Sequence, residues 1–184
     1  VDVTGAVTED STTGSPARLR DSGSLSFSDL DLTDLSTTTS AYVSAVASTG
    51  ASVSSALATA LQDLTNTFVI SGAGISSPAQ NGSVNWVFSL DNALAQYLAA
   101  GETVTATYRI TVTDDSTYTA ASGNNQINRR SQDVTVTLTG TNDAPLITVA
   151  AGNADSAALN ETNSGLTAAG TLTVSDVEIG RAHV

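Results

Sequence analysis

From Thr103 to Thr113 the chain alternates without a break. Val104, Ala106, Tyr108, Ile110 and Val112 take one side, and Thr103, Thr105, Thr107, Arg109 and Thr111 take the other. A period of two belongs to a strand with one buried and one wet face, and no helix reproduces it. The same signature returns at Val84, Trp86, Phe88 and Leu90, and again at Val134, Val136 and Leu138 within Asp133–Thr139. Leu25 and Phe27 give a short fourth strand after Gly23, which reads as a turn signal, and Val3 to Val7 and Thr67 to Ser71 are weaker candidates. The many Thr and Val residues suit this pattern, because β-branched side chains fit a pleated, half-buried surface. Short alternating strands separated by turn residues predict an all-β fold, an antiparallel β-sandwich.

Two segments depart from it. Val53, Leu57, Leu61 and Leu64 recur at helical spacing in a Ser- and Ala-rich stretch, which predicts one short amphipathic helix as an insertion. Asn92 to Ala100 reads as a helical turn with Leu94 and Leu98 facing inward and Gly101 ending it. The Ser/Thr/Ala-rich region from Ser36 to Ala60 carries the weakest signal.

The chain also repeats itself. Gly23-Ser-Leu-Ser-Phe-Ser-Asp-Leu-Asp31 returns as Gly170-Thr-Leu-Thr-Val-Ser-Asp-Val-Glu178, and Ala6-Val-Thr-Glu-Asp10 returns as Ala158-Leu-Asn-Glu-Thr162. The offset of about 150 residues is one module length. The expected organisation is one sandwich module over residues 1–143, then a linker and the truncated start of a second copy over 144–184, with strand edges left open by the truncation. The chain opens in mid-pattern at Val1 without a signal peptide, as a piece excised from a longer chain would. Residues 178–184 (Glu-Ile-Gly-Arg-Ala-His-Val) leave the repeat abruptly and match the translation of a common sequencing adapter. They are read as adapter-derived, and no catalytic role is given to His183, the single histidine.

Charge narrows the partners. Asp and Glu outnumber Lys and Arg by 18 to 6, and lysine is absent. Such a surface repels nucleic acid and anionic membranes and favours multivalent cations. No apolar run is long enough to span a membrane, so no membrane insertion is expected. Without cysteine there is no disulfide, no thiolate metal site and no thiol catalysis. Without lysine there is no Lys–Asn isopeptide staple.

Acidic residues gather where strands are expected to end: Asp29-Leu-Asp-Leu-Thr-Asp34, Asp114 with Asp115, and Asn142-Asp143 ahead of Ala144-Pro145. Calcium takes six to eight oxygen ligands, mostly carboxylates and carbonyls. Asp and Asn also favour turns for local reasons, so a lone Asp-x-Asp says little.

Their order says more. Glu9 in a first strand, then Asp29-x-Asp31, Trp86-Val-Phe-Ser-Leu-Asp-Asn92, Tyr97-Leu-Ala-Ala-Gly-Glu102, Thr111-Val-Thr-Asp114 and Thr139-Gly-Thr-Asn-Asp-Ala-Pro145 together resemble the VCBS repeat of large bacterial, RTX-type surface adhesins. The resemblance covers about residues 1 to 145 and the start of the next repeat. The same order looks like a cadherin domain, which implies an immunoglobulin-like, cadherin-like sandwich with Ca2+ held between modules. Carried over by position, Glu9, Glu102, Asn142 and Asp143 would form one site with Asp176 of the second module. Asp29, Asp31 and Asp114 would form another at the opposite end. Two positions depart from the cadherin pattern: Ala144 stands where a second Asn is usual, and Glu178 stands opposite Asp31 in the repeat.

The resemblance implies an extracellular, bacterial cell-surface location. The implied role is structural, with calcium stiffening an adhesin stalk whose partners are adjacent modules of the same chain and a cell-surface glycan or protein. An enzyme is not expected. The sequence has no His–Ser or Cys–His set, no phosphate-binding glycine loop and no His-x-x-x-His, and its carboxylates are accounted for by turns or calcium rather than glycoside hydrolysis. The alternative is a carbohydrate-binding or accessory module of a secreted enzyme, with Trp86 and the four tyrosines as stacking surfaces. Against it, Trp86 occupies an inward position of its strand.

Overall fold

A computed structural model describes residues 1–12, 14–28, 36–72, 81–119 and 125–178. The chain divides into two units, Val1–Thr141 and Asn142–Val184.

Unit 1 is an all-β, immunoglobulin-like sandwich. Its strands are β1 (Thr4–Thr8), β2 (Arg18–Ser28), β3 (Ser36–Ala47), β4 (Phe68–Ser71), β5 (Asn81–Asp91), β6 (Thr103–Thr119) and β7 (Asn125–Thr139), with one helix, α1 (Ser55–Leu61), between β3 and β4. One sheet has the order β1-β7-β6-β3 and the other β2-β5-β4. All pairings are antiparallel except β1 on β7, where the first strand runs parallel to the last from Thr4↔Thr135 to Thr8↔Thr139. That parallel pair sets the C-terminal ends of β1 and β7 beside the N-terminal end of β6.

The alternating residues form the core. Val84, Trp86, Phe88 and Leu90 from one sheet meet Val104, Ala106, Tyr108, Ile110, Val134, Val136 and Leu138 from the other, all buried. Phe68 stacks on Tyr108 with ring centroids 3.9 Å apart and lies 6.0 Å from Trp86. The helix caps this core: Leu57 and Leu61 are buried, Ser54 accepts from Leu57 N–H as N-cap, and the Leu61 carbonyl accepts from the Tyr108 hydroxyl at 3.0 Å. Burial, with the neighbouring Tyr42 adding to it, pushes the Tyr108 phenol far above its usual value, so it stays a neutral donor.

Two sequence expectations need correction, and one segment of weak signal resolves. Gly23 is no turn: it lies inside β2 opposite Trp86, and a Cβ there would sit 2.6 Å from the indole ring, so the strand needs glycine to admit the tryptophan. Asp114 does not end its strand. It lies within β6 opposite Ser36, beside a register shift between Thr113 and Thr117, and the strand continues to Thr119. The segment Ser36–Ala47, where the signal was weakest, is a twelve-residue strand at the edge of its sheet. The helical turn after β5 is a 3-10 helix at Asn92–Leu94, and Gly101 follows with a φ of +76°.

The loop from α1 to β4 is organised by Asp63. Its carboxylate accepts from the Thr65 hydroxyl (2.6 Å) and N–H (2.8 Å) and from the Asn66 N–H (3.1 Å) and side-chain amide (2.8 Å). These donors, the Thr65 hydroxyl foremost, hold its pKa well below the ordinary carboxylate range. A depressed folded-state pKa means stability that is present at neutral pH and lost as acid protonates the group, from about pH 4 downward. Asp63→Ala is therefore expected to lower the melting temperature at neutral pH and to flatten its acid dependence below about pH 4. Thermal melts across that range check both.

Unit 2 holds two short paired strands, β8 (Leu146–Thr148) and β9 (Thr173–Ser175). Its apolar positions are exposed where the matching positions of the similar stretches in unit 1 are covered. Leu172 is 49% exposed against 7% for Leu25, and Leu159 51% against 5% for Val7. A β8–β9 pair alone has too little sheet to bury them.

Candidate metal centre

The strand period carries two carboxylates to one rim of unit 1. In β1 the buried side is Gly5 and Val7, and two residues on comes Glu9. In β6 the buried side begins at Val104, and two residues before it comes Glu102. Both glutamates therefore continue the inward-facing side one residue beyond their strands, and both are buried, at 2% and 8% exposure. Register places them on either side of one residue. Thr8 and Thr103 both pair with Thr139, so Glu9 and Glu102 flank Gly140 across two strand spacings, roughly 10 Å.

Backbone bonds fix that rim. Glu9 N–H donates to Thr139 O (2.9 Å), Gly140 N–H to Glu102 O (2.9 Å) and Gly101 N–H to Gly140 O (3.0 Å). A Cβ at Gly140 would meet Ala99 O at 2.5 Å and Leu98 Cβ and O at 2.6 Å, so the Leu98–Ala99 backbone packs directly on the glycine between the two acids.

Neutral donors orient the carboxylates. Glu9 accepts from the Gln96 amide (2.7 Å) and from Thr141 N–H (2.9 Å). Glu102 accepts from Ala99 N–H (3.2 Å) and from the Thr49 hydroxyl (3.3 Å). Asp10, in the left-handed region at φ 61°, is clamped beside Glu9. Its N–H donates to Asn92 Oδ1 (3.0 Å), and its carboxylate accepts from Asn92 (2.8 Å) and Gln96 (3.0 Å). Sequence reasoning did not single out Gln96 or Thr49 as contributors. An amide or a hydroxyl in a loop carries no spacing signal, and only the folded geometry brings them to the acids.

The remaining expected ligands fall as follows. Asn142, Asp143 and Asp176 belong to unit 2, where a small network joins the last two through Glu178. Asp143 N–H donates to Glu178 Oε2 (3.1 Å), Glu178 N–H donates to Asp176 Oδ1 (2.8 Å), and the Asn142 amide donates to Asp143 O (2.8 Å). Glu178 is 4% exposed, and its Oε1 has no hydrogen-bond partner among the described residues. Asp29 and Asp31 lie outside the described residues. Asp114 sits far along β6 from the Glu102 end. Among the described residues, no three acidic or histidine side chains gather into a metal-binding cluster. Glu9 and Glu102 are thus two buried oxygen donors on one rim, and an incomplete coordination shell by themselves.

No protein-family model matches the chain, and no curated protein sequence matches it.

Proposed function

We propose that unit 1 is a calcium-binding structural module of a secreted or cell-surface adhesin, stiffened by a cation taken at its Glu9–Glu102 end. The observation that carries this reading is the burial of both glutamates on either side of Gly140, at the rim from which the chain continues through Thr141 to Asn142 and Asp143. Two desolvated carboxylates facing one rim are costly unless hydrogen bonds and positive charge offset them, and the chain is acidic overall with a net charge of −12. Oxygen ligands are the right chemistry for a hard divalent cation.

In this reading Glu9 and Glu102 supply carboxylates from the sandwich, and Asn142, Asp143 and Asp176 supply further oxygens from the linker and following segment. Asp29, Asp31 and Asp114 would serve a preceding module in the same way. A shared cation removes hinge freedom and turns a chain of sandwiches into a rod that projects an adhesive tip. The partners are then adjacent modules and, at the tip, a surface glycan or protein. Trp86, the aromatic residue on which a sugar-binding reading leans, is fully buried, with its indole N–H donating to Asp2 O at 2.9 Å, and offers no face for stacking.

The test is a thermal melt of the 184-residue chain in calcium and in chelator. Extracellular modules bind at roughly 0.1–1 mM. At ten times Kd one site adds about 1.4 kcal/mol, a rise of about 4 °C for a domain of this size. Asp143→Ala is expected to remove most of that gain. A gain unchanged in Asp143→Ala would remove the linker from the site, and no gain in the parent chain would remove calcium.

A further inference from the structure

Among the described strands β1 and β7 form the one parallel pair, and they are the first and last strands of unit 1. Tension that enters ahead of Thr4 and leaves past Thr139 therefore pulls these two strands in opposite directions along their length. An antiparallel pair in this position would have its two loaded ends side by side and would open one hydrogen bond at a time. In the parallel pair the evenly spaced bonds along five residue pairs, Thr4↔Thr135 to Thr8↔Thr139, are loaded together. Both ends of the ladder are held. Thr135 N–H donates to Val3 O and Glu9 N–H donates to Thr139 O, each at 2.9 Å. Ahead of the ladder, Asp2 N–H donates to Ser24 O and Asp2 O accepts from the Trp86 indole, again at 2.9 Å. On the outer side of β1, Asp21 Oδ2 accepts from Ala6 N–H at 2.7 Å.

We propose that the β1–β7 ladder is a mechanical clamp, by which unit 1 bears tension along the chain without unfolding. Slippage is the easier way for two loaded strands to yield, and packing blocks it here. The pull drags β1 toward its own N-terminus. A slip of one residue therefore brings Ala6 into the place of Gly5 and Thr8 into that of Val7, both inward positions. A Cβ in the place of Gly5 would sit 2.9 Å from Trp86 Cη2, 3.1 Å from Asp21 Oδ2 and 3.2 Å from Val136 Cγ2. Trp86 is fully buried and stacked on Phe68, so its ring cannot swing aside without opening the core. The same slip would also drive the Thr8 hydroxyl into the buried place of Val7, at the cost of desolvating it. A slip of two residues restores the facing but asks the space beside Trp86 to take the whole Val7 side chain. β1 thus keeps its register until the ladder breaks as a unit. The clamp is made of backbone bonds and core packing, and it holds with or without a cation at the rim.

Single-molecule pulling on the 184-residue chain tests this, and the absence of cysteine lets thiol handles be placed at chosen residues. Handles at Val1→Cys and Ala144→Cys load the ladder along its length. Handles at Val1→Cys and Ser131→Cys, beyond the Thr135 end of the same ladder, peel it from that end. All three positions are exposed, and circular dichroism should show both double variants folded like the parent. Lengthwise rupture is expected at roughly two to five times the peeling force, the upper figure holding if the five pairs share the load equally. Both pulls are made in chelator, so the ratio stands or falls apart from calcium binding. Equal rupture forces, or a lengthwise force below the peeling force, overturn the proposal, as does lengthwise release of β1 in a series of small slips.

Discussion

Trp86→Ala is expected to cost unit 1 about 3–5 kcal/mol, the range for emptying a buried aromatic site. The indole is fully buried, stacks at 6.0 Å on Phe68, and donates to Asp2 O at 2.9 Å. Two glycines, Gly5 and Gly23, lie against its ring, and an added Cβ would sit 2.9 Å and 2.6 Å from it. Their backbones come from opposite sheets, so the ring fills the space where β1 and β2 pass each other. Neither glycine can supply side-chain volume to refill the cavity, so the site collapses poorly. Against a total stability of about 5–15 kcal/mol, the loss leaves a marginal domain. Urea unfolding followed by circular dichroism should show a large fall in midpoint with the slope unchanged. A fall of less than about 1 kcal/mol would mean that the two sheets do not close over this ring.

Gly140→Ala is the second large effect, and it ties packing to the site. The new methyl would face Ala99 O, Leu98 O and Leu98 Cβ at 2.5–2.6 Å, and two of these atoms are backbone with no rotamer to yield. Relief requires moving the Leu98–Ala99 segment, which holds Glu102 through Ala99 N–H, or β7 itself, which holds Glu9 through Thr139 O. Overpacking of this kind costs about 1–3 kcal/mol. Because both carboxylates hang from the displaced backbone, calcium affinity is expected to fall together with stability. Paired melts with and without calcium separate the two losses. A variant as stable as its parent would show that the rim tolerates displacement.

The fold was legible wherever one strand face is wholly covered. Val104 to Val112 and Val84 to Leu90 alternate because each faces a full sheet, and α1 shows its period through Leu57 and Leu61. β3 escaped because it is an edge strand. Its inward positions Ser36, Thr38 and Ser40 are only half-buried, so nothing demanded large apolar residues there. Gly23 misled for the opposite reason, since its missing side chain is a packing feature inside a strand. At the site, Glu9 and Glu102 were legible only through the order of motifs that resembles a cadherin domain, since a single Glu at a strand end carries no signal of its own. Gln96 and Thr49, which hydrogen-bond to them, depend on loop geometry that the sequence does not encode locally.

Of the ion pairs open to the arginines, Arg109 to Asp133 is a bidentate bridge at 2.7 and 2.8 Å between paired positions of β6 and β7, and it holds the Asp133 carboxyl below its usual range. Both partners are exposed, so the bridge fixes register more than it adds stability.

Calcium titration calorimetry bears most directly on the role assigned to the two buried glutamates. The 184-residue chain should bind Ca2+ with a sub-millimolar to millimolar Kd, and a Glu9→Gln, Glu102→Gln double variant, close in shape but stripped of both charges, should keep its circular dichroism spectrum and lose the binding heat. If the parent and double-variant isotherms coincide, these carboxylates serve only to tie down the rim of the sandwich.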